Sequence, residues 1–139
     1  MPNGQMDIIG IGAALVDIFA DITDEDLSRL NMPKGAMTLI DINASKDLLD
    51  QINVHTSTAG GSAANTIAGT ASLGMSSGFI GKVANDSFGD IFANDLLKMN
   101  IKLFGQPLNN DTPTGKCIVL ITPDAERTMN TLIGAAAFI

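Results

Sequence analysis

The chain has 139 residues, of which 45% are hydrophobic and 4% aromatic, and its net charge is −7. This length and hydrophobic content fit one folded domain with an aliphatic core and exclude a disordered chain. The excess of acidic residues disfavours binding to the phosphate backbone of nucleic acids, so we expect no nucleic-acid partner.

The single cysteine and the single histidine are not predicted to form a catalytic or metal-binding site. Cys117 is the only cysteine and lies in the apolar run CIVLI, so we expect a small buried side chain and a reducing compartment. His55 is the only histidine and has no neighbours at metal-ligand spacing, which predicts no metal site. The apolar run Ile8–Val16 lacks the preceding basic residue of a secretion signal, and no stretch is long enough to cross a bilayer. We therefore expect a soluble, cytoplasmic protein without a membrane partner.

Apolar patterns predict strands that alternate with helices along the chain. The predicted strands are Asp7–Gly12, Ala36–Asp41, Gly78–Val83, Ile101–Phe104, Gly115–Thr122 and Arg127–Ile133. Helices are predicted at Thr23–Leu30, from Asn43 or Ser45 onward, after Gly61, and at about Phe88–Met99, with a linker at Asn53–Thr58. Such alternation is typical of an α/β fold with parallel strands, and the turn at Pro123 indicates an added antiparallel hairpin.

The glycine-rich stretch Ala59–Gly74 has the composition of a ligand-binding turn followed by a helix. Gly60 and Gly61 permit a positive φ and close approach of a ligand, and the first N–H groups of the helix point into the space in front. Asn65 lies off the apolar stripe of this helix, where its amide could reach that space. The alternative is a plain turn into an alanine-rich core helix.

Asp17 is an acid set among aliphatic residues in LVDIFADI. An unpaired buried carboxylate is costly, so Asp17 should face a cleft or have polar partners. The alternative is an acid in a turn or helix cap.

Familiar nucleotide-binding motifs are incomplete. Gly10-Ile11-Gly12 lacks the third glycine or alanine of the dinucleotide fingerprint, because Leu15 occupies that position. Gly81-Lys82 lacks both the first glycine and the final hydroxyl residue of a phosphate-binding loop. A GxSxG nucleophile elbow is also missing from the sequence, so hydrolysis is disfavoured.

Several segments in this order resemble the PfkB, or ribokinase-like, carbohydrate kinases, and their adenosine-kinase-like branch in particular. DIIGIGAALVDI is similar to the family's first strand with its acceptor-binding acid, and AGGSAANTIAGTASLG to its N-terminal signature. GFIGKVANDSFGDIF resembles the segment G-x-x-G-x-D-x-x-G, with Asp86 and Gly89, and TGKCIVLITPDAERTMNTLIGAA the strand pair that follows.

The resemblance implies a ribokinase-like, Rossmann-like three-layer α/β/α sheet with a small β lid, whose partial strands lie around residues 13–40 and 115–134. It implies ATP-dependent phosphorylation of a hydroxymethyl group on a sugar or nucleoside, with Mg²⁺. The acceptor-binding residues would be Asp17, Gly60, Gly61, Ser62 and Asn65. We expect this carboxylate, these amides and the Asn65 side chain to converge on one polyol-sized hollow, since a polyol needs both donors and acceptors.

Two departures from the family pattern bear on function. Ala13 stands where the adenosine-kinase branch commonly has Asn, which leaves the identity of the acceptor open. The catalytic Asp of the GAGD segment, most ATP contacts and the rest of the C-terminal half have no counterpart in residues 1–139. We therefore expect a truncated N-terminal portion that is inactive alone. The alternative is a non-catalytic module that binds a sugar or nucleoside. The resemblance also allows a homodimer through lid strands in the full-length protein.

Overall fold

A computed structural model describes residues 4–139 of the chain. The strands are β1 (Ile8–Ile11), β2 (Leu15–Asp21), β3 (Met37–Leu39), β4 (Val54–Gly60), β5 (Ser77–Ile80), β6 (Lys102–Phe104), β7 (Gly115–Ile121) and β8 (Arg127–Leu132). The helices are α1 (Asp24–Arg29), α2 (Ile42–Asp50), α3 (Ser62–Ser72), α4 (Ser87–Lys98) and a 3₁₀ helix at Gly134–Phe138. None of the described helices is both long and apolar enough to span a bilayer.

The chain divides into two compact units. Residues 4–16, 58–115 and 133–139 form the first unit, and residues 17–57 and 116–132 form the second. Each unit therefore contains segments that are distant in the sequence.

The first unit is built on a parallel sheet with the order β1-β5-β6. Its core includes the rings of Phe79 on β5 and Phe92 on α4, which lie 5.9 Å apart. Gly10 allows α3 to approach β1 closely, because an added Cβ there would lie 2.5 Å from Cγ1 of Ile67. The helices thus pack on the face of the sheet to which Gly10 and Phe79 belong.

The second unit holds most of a five-stranded sheet with the order β3-β8-β7-β2-β4. Strands β7 and β8 form an antiparallel hairpin, and β3 pairs parallel to β8. Ile18, Ile118 and Leu120 are fully buried and contribute to its core. Buried and less buried residues alternate along β2, which is the period-two pattern expected of a strand, whereas β7 is buried at most of its positions.

The predicted mixed α/β class, the parallel strands and the closing hairpin are confirmed. The predicted linker at Asn53–Thr58 is wrong, because strand β4 occupies Val54–Gly60. This strand lies at the edge of its sheet and is largely exposed, so its sequence does not alternate between apolar and polar residues. Its β-branched residues Val54, Thr56 and Thr58 nevertheless favour an extended backbone.

The start of the second helix also differs from the prediction. Helix α2 begins at Ile42 rather than at Asn43 or Ser45, because Asp41 is its N-cap and not the end of a strand. The Asp41 carboxylate accepts a hydrogen bond of 2.8 Å from the N–H of Ala44, which satisfies one of the free donors at the helix start.

Candidate functional site

The glycine pair forms a sharp turn between β4 and α3 in the first unit. Gly61 is the N-cap of α3 and has φ of 96° and ψ of 139°, a conformation that side chains rarely adopt. A Cβ added to Gly61 would overlap the carbonyl oxygen of Ala13. Both the backbone angle and the lack of space therefore require glycine at this position.

The start of α3 presents polar groups to the surface. Ser62 and Asn65 are exposed, whereas Ala64 and Ile67 are buried on the opposite side of the helix. The N–H of Asn65 donates to the carbonyl of Gly61 at 2.9 Å, so the preceding amides of the first turn have no partner within the helix. The predicted separation of a buried stripe from a polar Asn65 is confirmed.

Asp95 of α4 fixes the strand that leads into this turn. Its Oδ2 accepts hydrogen bonds from the N–H of Ala59 at 2.8 Å and from Oγ1 of Thr58 at 3.1 Å. No local sequence pattern marks Asp95, because its partners lie 36 and 37 positions away in the chain. Asp95 is a positioning residue for the glycine turn.

Asp17 lies on β2 in the second unit, between the fully buried Val16 and Ile18. It is half-buried, and this loss of solvation raises the pKa of its carboxyl above the ordinary value of 3.8. Within residues 4–139 no side chain or main-chain N–H donates a hydrogen bond to it. A desolvated carboxylate without a donor is an acceptor group available to a ligand hydroxyl.

Cys117 is half-buried on β7, and this burial is the main cause that raises the pKa of its thiol. The negative charge of Asp17 acts in the same direction, while the hydrogen bond of 3.6 Å from Thr131 Oγ1 to Sγ opposes it. A thiol held in its protonated form is a poor nucleophile, which agrees with the predicted structural role.

The predicted site residues thus form two groups. Gly60, Gly61, Ser62 and Asn65 meet at the turn into α3 of the first unit, and Asp17 belongs to the second unit. Their convergence on one hollow stays a prediction. A cavity of about 560 Å³ in the second unit contains none of them; it is lined by the end of β2, by α1, by the residues that follow α2 and by the β7–β8 turn.

Asp86, which carries part of the family resemblance, has a structural role. Its carboxylate caps α4 by accepting from the N–H of Gly89 at 2.8 Å, and it accepts from both the N–H and Oγ1 of Thr114, at 2.9 and 2.6 Å. Thr114 is fully buried, and its hydroxyl oxygen accepts from the N–H of Ala84. The acid therefore ties the start of α4 to the segment before β7.

A resident metal would need several hard ligands in one place. Residues 4–139 contain no group of three or more His, Cys, Asp or Glu side chains arranged to hold a metal ion. Mg²⁺ that accompanies a nucleotide is usually held by one or two carboxylates together with phosphate oxygens, so the Mg²⁺ implied by the resemblance does not require such a group.

Residues 33–139 match the profile of the pfkB family carbohydrate kinases. Adenosine kinase of Saccharomyces cerevisiae is 32% identical over 140 residues, which cover 94% of this chain. Probable fructokinase-6, chloroplastic, of Arabidopsis thaliana is 41% identical over 68 residues, which cover 49% of this chain and 18% of the fructokinase.

Among solved structures, adenosine kinase from Sinorhizobium meliloti superposes with a TM-score of 0.87 and 38% identity over 96% of this chain. This chain spans 40% of the length of the yeast adenosine kinase and 41% of the S. meliloti structure. With the family profile covering most of the sequence, the chain belongs to the pfkB family of carbohydrate kinases and has their ribokinase-like α/β fold.

Proposed function

We propose that this chain carries the acceptor-binding part of an ATP-dependent kinase that phosphorylates a hydroxymethyl group of a sugar or nucleoside. The half-buried Asp17 carboxylate, which has no protein donor within residues 4–139, is the observation that carries the proposal. The family membership supplies the reaction class, and the similar adenosine kinases and fructokinase supply the range of acceptors.

Asp17 is proposed to accept hydrogen bonds from acceptor hydroxyls. Desolvation disfavours its charged form, and donors from a ligand would compensate for the lost water. Hydrogen bonds to a charged group contribute about 1.5–3 kcal/mol each, so this acid would make a large contribution to acceptor affinity.

The turn into α3 is proposed to supply the complementary groups. The free amides at Gly61 and Ser62 are donors, and the Asn65 side chain offers both a donor and an acceptor. Exposure of Ser62 and Asn65 at the helix start is the support for this role. A cradle of this kind orients a hydroxymethyl group for attack on a phosphoryl group, and positioning is a major part of catalysis in phosphoryl transfer.

ATP and Mg²⁺ are proposed as cosubstrate and cofactor of the whole enzyme. They would supply the phosphoryl group and neutralise its developing charge. We assign neither to residues of this chain, and we expect the isolated chain to transfer no phosphoryl group. The second candidate, a non-catalytic sugar- or nucleoside-binding module, uses the same acceptor contacts.

A chimeric kinase tests the proposal. This chain replaces the matched 41% of the S. meliloti adenosine kinase, and ATP-dependent phosphorylation of adenosine, ribose and fructose is measured. We expect the chimera to phosphorylate at least one acceptor and the isolated chain to phosphorylate none. A folded chimera that binds ATP but phosphorylates none of the three would contradict the proposal. Saturable acceptor binding by that inactive chimera would favour the module.

A further inference from the structure

The cavity of about 560 Å³ in the second unit lies at the end of the sheet where β2 and β7 stop. Its volume falls in the range of about 300–1,000 Å³ that is common for small-molecule pockets. Asp21, which lines it, follows Asp17 by four residues, a distance of about 13 Å along the strand. None of the residues proposed to bind the acceptor lines this cavity. The proposed function therefore leaves the space unexplained.

Hydrogen bonds within the protein hold the walls of the cavity in place. The main-chain N–H of Ile22 donates to the carbonyl of Ile121 at 3.0 Å, which joins the ends of β2 and β7. Helix α1, which forms another wall, is capped by Thr23, whose Oγ1 accepts from the N–H of Asp26 at 3.1 Å. The cavity is therefore formed in the absence of a ligand, as small-molecule sites usually are.

The cavity has an aliphatic wall to which four separate parts of the second unit contribute. Ile22 follows β2, Leu30 is the C-cap of α1, Ile52 lies after α2, and Ile121 ends β7. Each of these side chains is partly exposed to solvent. An apolar group that covered them would remove this surface from water, which is favourable. The wall thus suits the apolar body of a ligand.

The charged groups of the cavity leave one carboxylate without a strong partner. Asp26 and Arg29 neutralise one another, because Oδ1 of Asp26 lies 3.0 Å from Nη2 of Arg29. Among the described lining residues, Arg29 is the one cation. The Asp21 carboxylate is 83% exposed and lies 3.7 Å from Nε2 of His55, a contact that is an ion pair only when the imidazole is protonated. The cavity therefore favours a positively charged ligand.

The uncharged polar groups add acceptors of hydrogen bonds. Gln51 donates from Nε2 to the carbonyl of Asp47 at 3.0 Å, so its Oε1 is the part of the amide that stays available. Asn53 also lines the cavity and contributes a second amide. An ammonium group has three donors and no acceptor, so it needs several acceptors around it. Carboxylate and amide oxygens provide them here.

We propose that this cavity binds a small organic cation, in which an ammonium group is carried on an apolar body. The ammonium group contacts the Asp21 carboxylate and the amide oxygens, and the apolar body covers the aliphatic wall. This inference rests on the shape, the charge and the lining of the cavity, and the acceptor chemistry does not enter it.

Three probes with the same body and different charges test the ligand class. 4-Phenylbutylamine, 4-phenylbutan-1-ol and 4-phenylbutyrate are each titrated into the intact chain, and main-chain amide and isoleucine methyl resonances are followed by NMR. The amine is expected to bind saturably and to shift the resonances of Ile22, Ile52 and Ile121. Its affinity should exceed that of the alcohol by about fivefold, because an ion pair at an exposed carboxylate is a modest contribution. The butyrate should bind most weakly.

Matched variants separate this cavity from general attraction to an acidic protein. Asp21→Asn should lower the affinity for the amine to that for the alcohol and leave the alcohol unaffected. Glu25→Gln removes the same charge from an exposed position of α1 that does not line the cavity, and it should bind the amine as the wild type does. Asn53→Phe places a ring at the cavity and should abolish binding of all three probes. Circular dichroism checks that each variant retains the fold.

The proposal is overturned if the amine does not bind saturably, or if it binds no more tightly than the alcohol. It is also overturned if Asp21→Asn has no effect on amine binding, or if Glu25→Gln lowers it equally. Tightest binding of the butyrate would assign the cavity to an anion at Arg29 instead and would contradict the proposal. Since no readout depends on ATP or on an acceptor, failure here is distinguishable from failure of the proposed function.

Discussion

The Asp95 carboxylate accepts a hydrogen bond of 2.8 Å from the main-chain N–H of Ala59, directly before the glycine pair. Helix α4 thereby holds the end of strand β4 at the position from which α3 begins. The proposed acceptor contacts at the α3 start depend on this anchor, although Asp95 itself is not placed among them.

Replacement of this anchor should destabilise the fold. Asp95→Ala leaves the N–H of Ala59 without its partner and should lower the free energy of unfolding by about 1–3 kcal/mol. Lys98→Ala removes only the exposed ion pair of 3.9 Å with Asp95 and should cost at most about 1 kcal/mol. Urea denaturation of both variants gives the comparison. If Asp95→Ala and Lys98→Ala lower the free energy of unfolding equally, the ion pair and not the main-chain hydrogen bond is the source of the stabilisation by Asp95.

Glycine is required at the turn and not within the helix. Gly61→Ala should lower the free energy of unfolding by more than about 1 kcal/mol, because φ is positive and the Ala13 carbonyl blocks a side chain. Gly69→Ala on the exposed face of α3 has nothing within 4 Å and should raise stability by about 0.5–1 kcal/mol. Thermal or urea unfolding measures both changes. A neutral Gly61→Ala would contradict the turn geometry.

Asp17 should cost the folded chain stability when it is charged. Its folded-state pKa is raised by desolvation, so the folded state binds the proton more tightly than the unfolded state does. This loss of folding stability is present at pH values above the pKa of Asp17 in the folded state. It is relieved as the pH falls through that pKa toward the ordinary value of 3.8. Asp17→Asn should therefore be more stable than the wild type at neutral pH and lose this pH dependence.

Asp21→Asn is the control for that measurement, since Asp21 is exposed at the end of the same strand. Its stability should stay within about 0.5 kcal/mol of the wild type. A neutral-pH destabilisation by Asp17→Asn would mean that the carboxylate has a structural partner, and the site assignment would lose its support.

Lys34 links α1 to the β7–β8 turn through two carboxylates. Its Nζ lies 2.6 Å from Asp24 Oδ1 and 2.8 Å from Asp124 Oδ2. The hydrogen bond from Lys34, followed by that from Thr122, lowers the pKa of Asp124 from 3.8 to about 2. A lowered carboxyl pKa stabilises the fold above the unfolded value, and this contribution is lost as the pH falls through the folded value.

The wild-type chain should therefore lose stability between pH 3.8 and about 2, more steeply than Asp124→Asn does. Lys34→Met should reduce the pH dependence of stability in the same pH range, because it removes the ammonium group that contacts both carboxylates. High salt should reduce the difference, since the groups are exposed. Identical acid-unfolding curves for wild type and Asp124→Asn would contradict this origin of acid sensitivity.

The sequence predicts the elements that have strong apolar patterns and fails where polar contacts or edges decide. β1, the helix after Gly61 and the closing hairpin follow from apolar periodicity and turn residues. β4 was missed because an exposed edge strand needs no buried face. Asp95 could not be found, because it acts on a backbone group 36 residues away. Asp86 was recognised by resemblance, while its contacts with Thr114 depend on the tertiary fold.

The Asp17→Asn variant of the chimeric kinase gives the most direct test of acceptor binding by this chain. Loss of hydrogen bonds to the charged carboxylate should lower kcat/KM for the acceptor by about 1–3 kcal/mol, roughly 5- to 150-fold, and raise the acceptor KM. The KM for ATP should stay unchanged. Unaltered acceptor kinetics in a folded Asp17→Asn chimera would contradict the account.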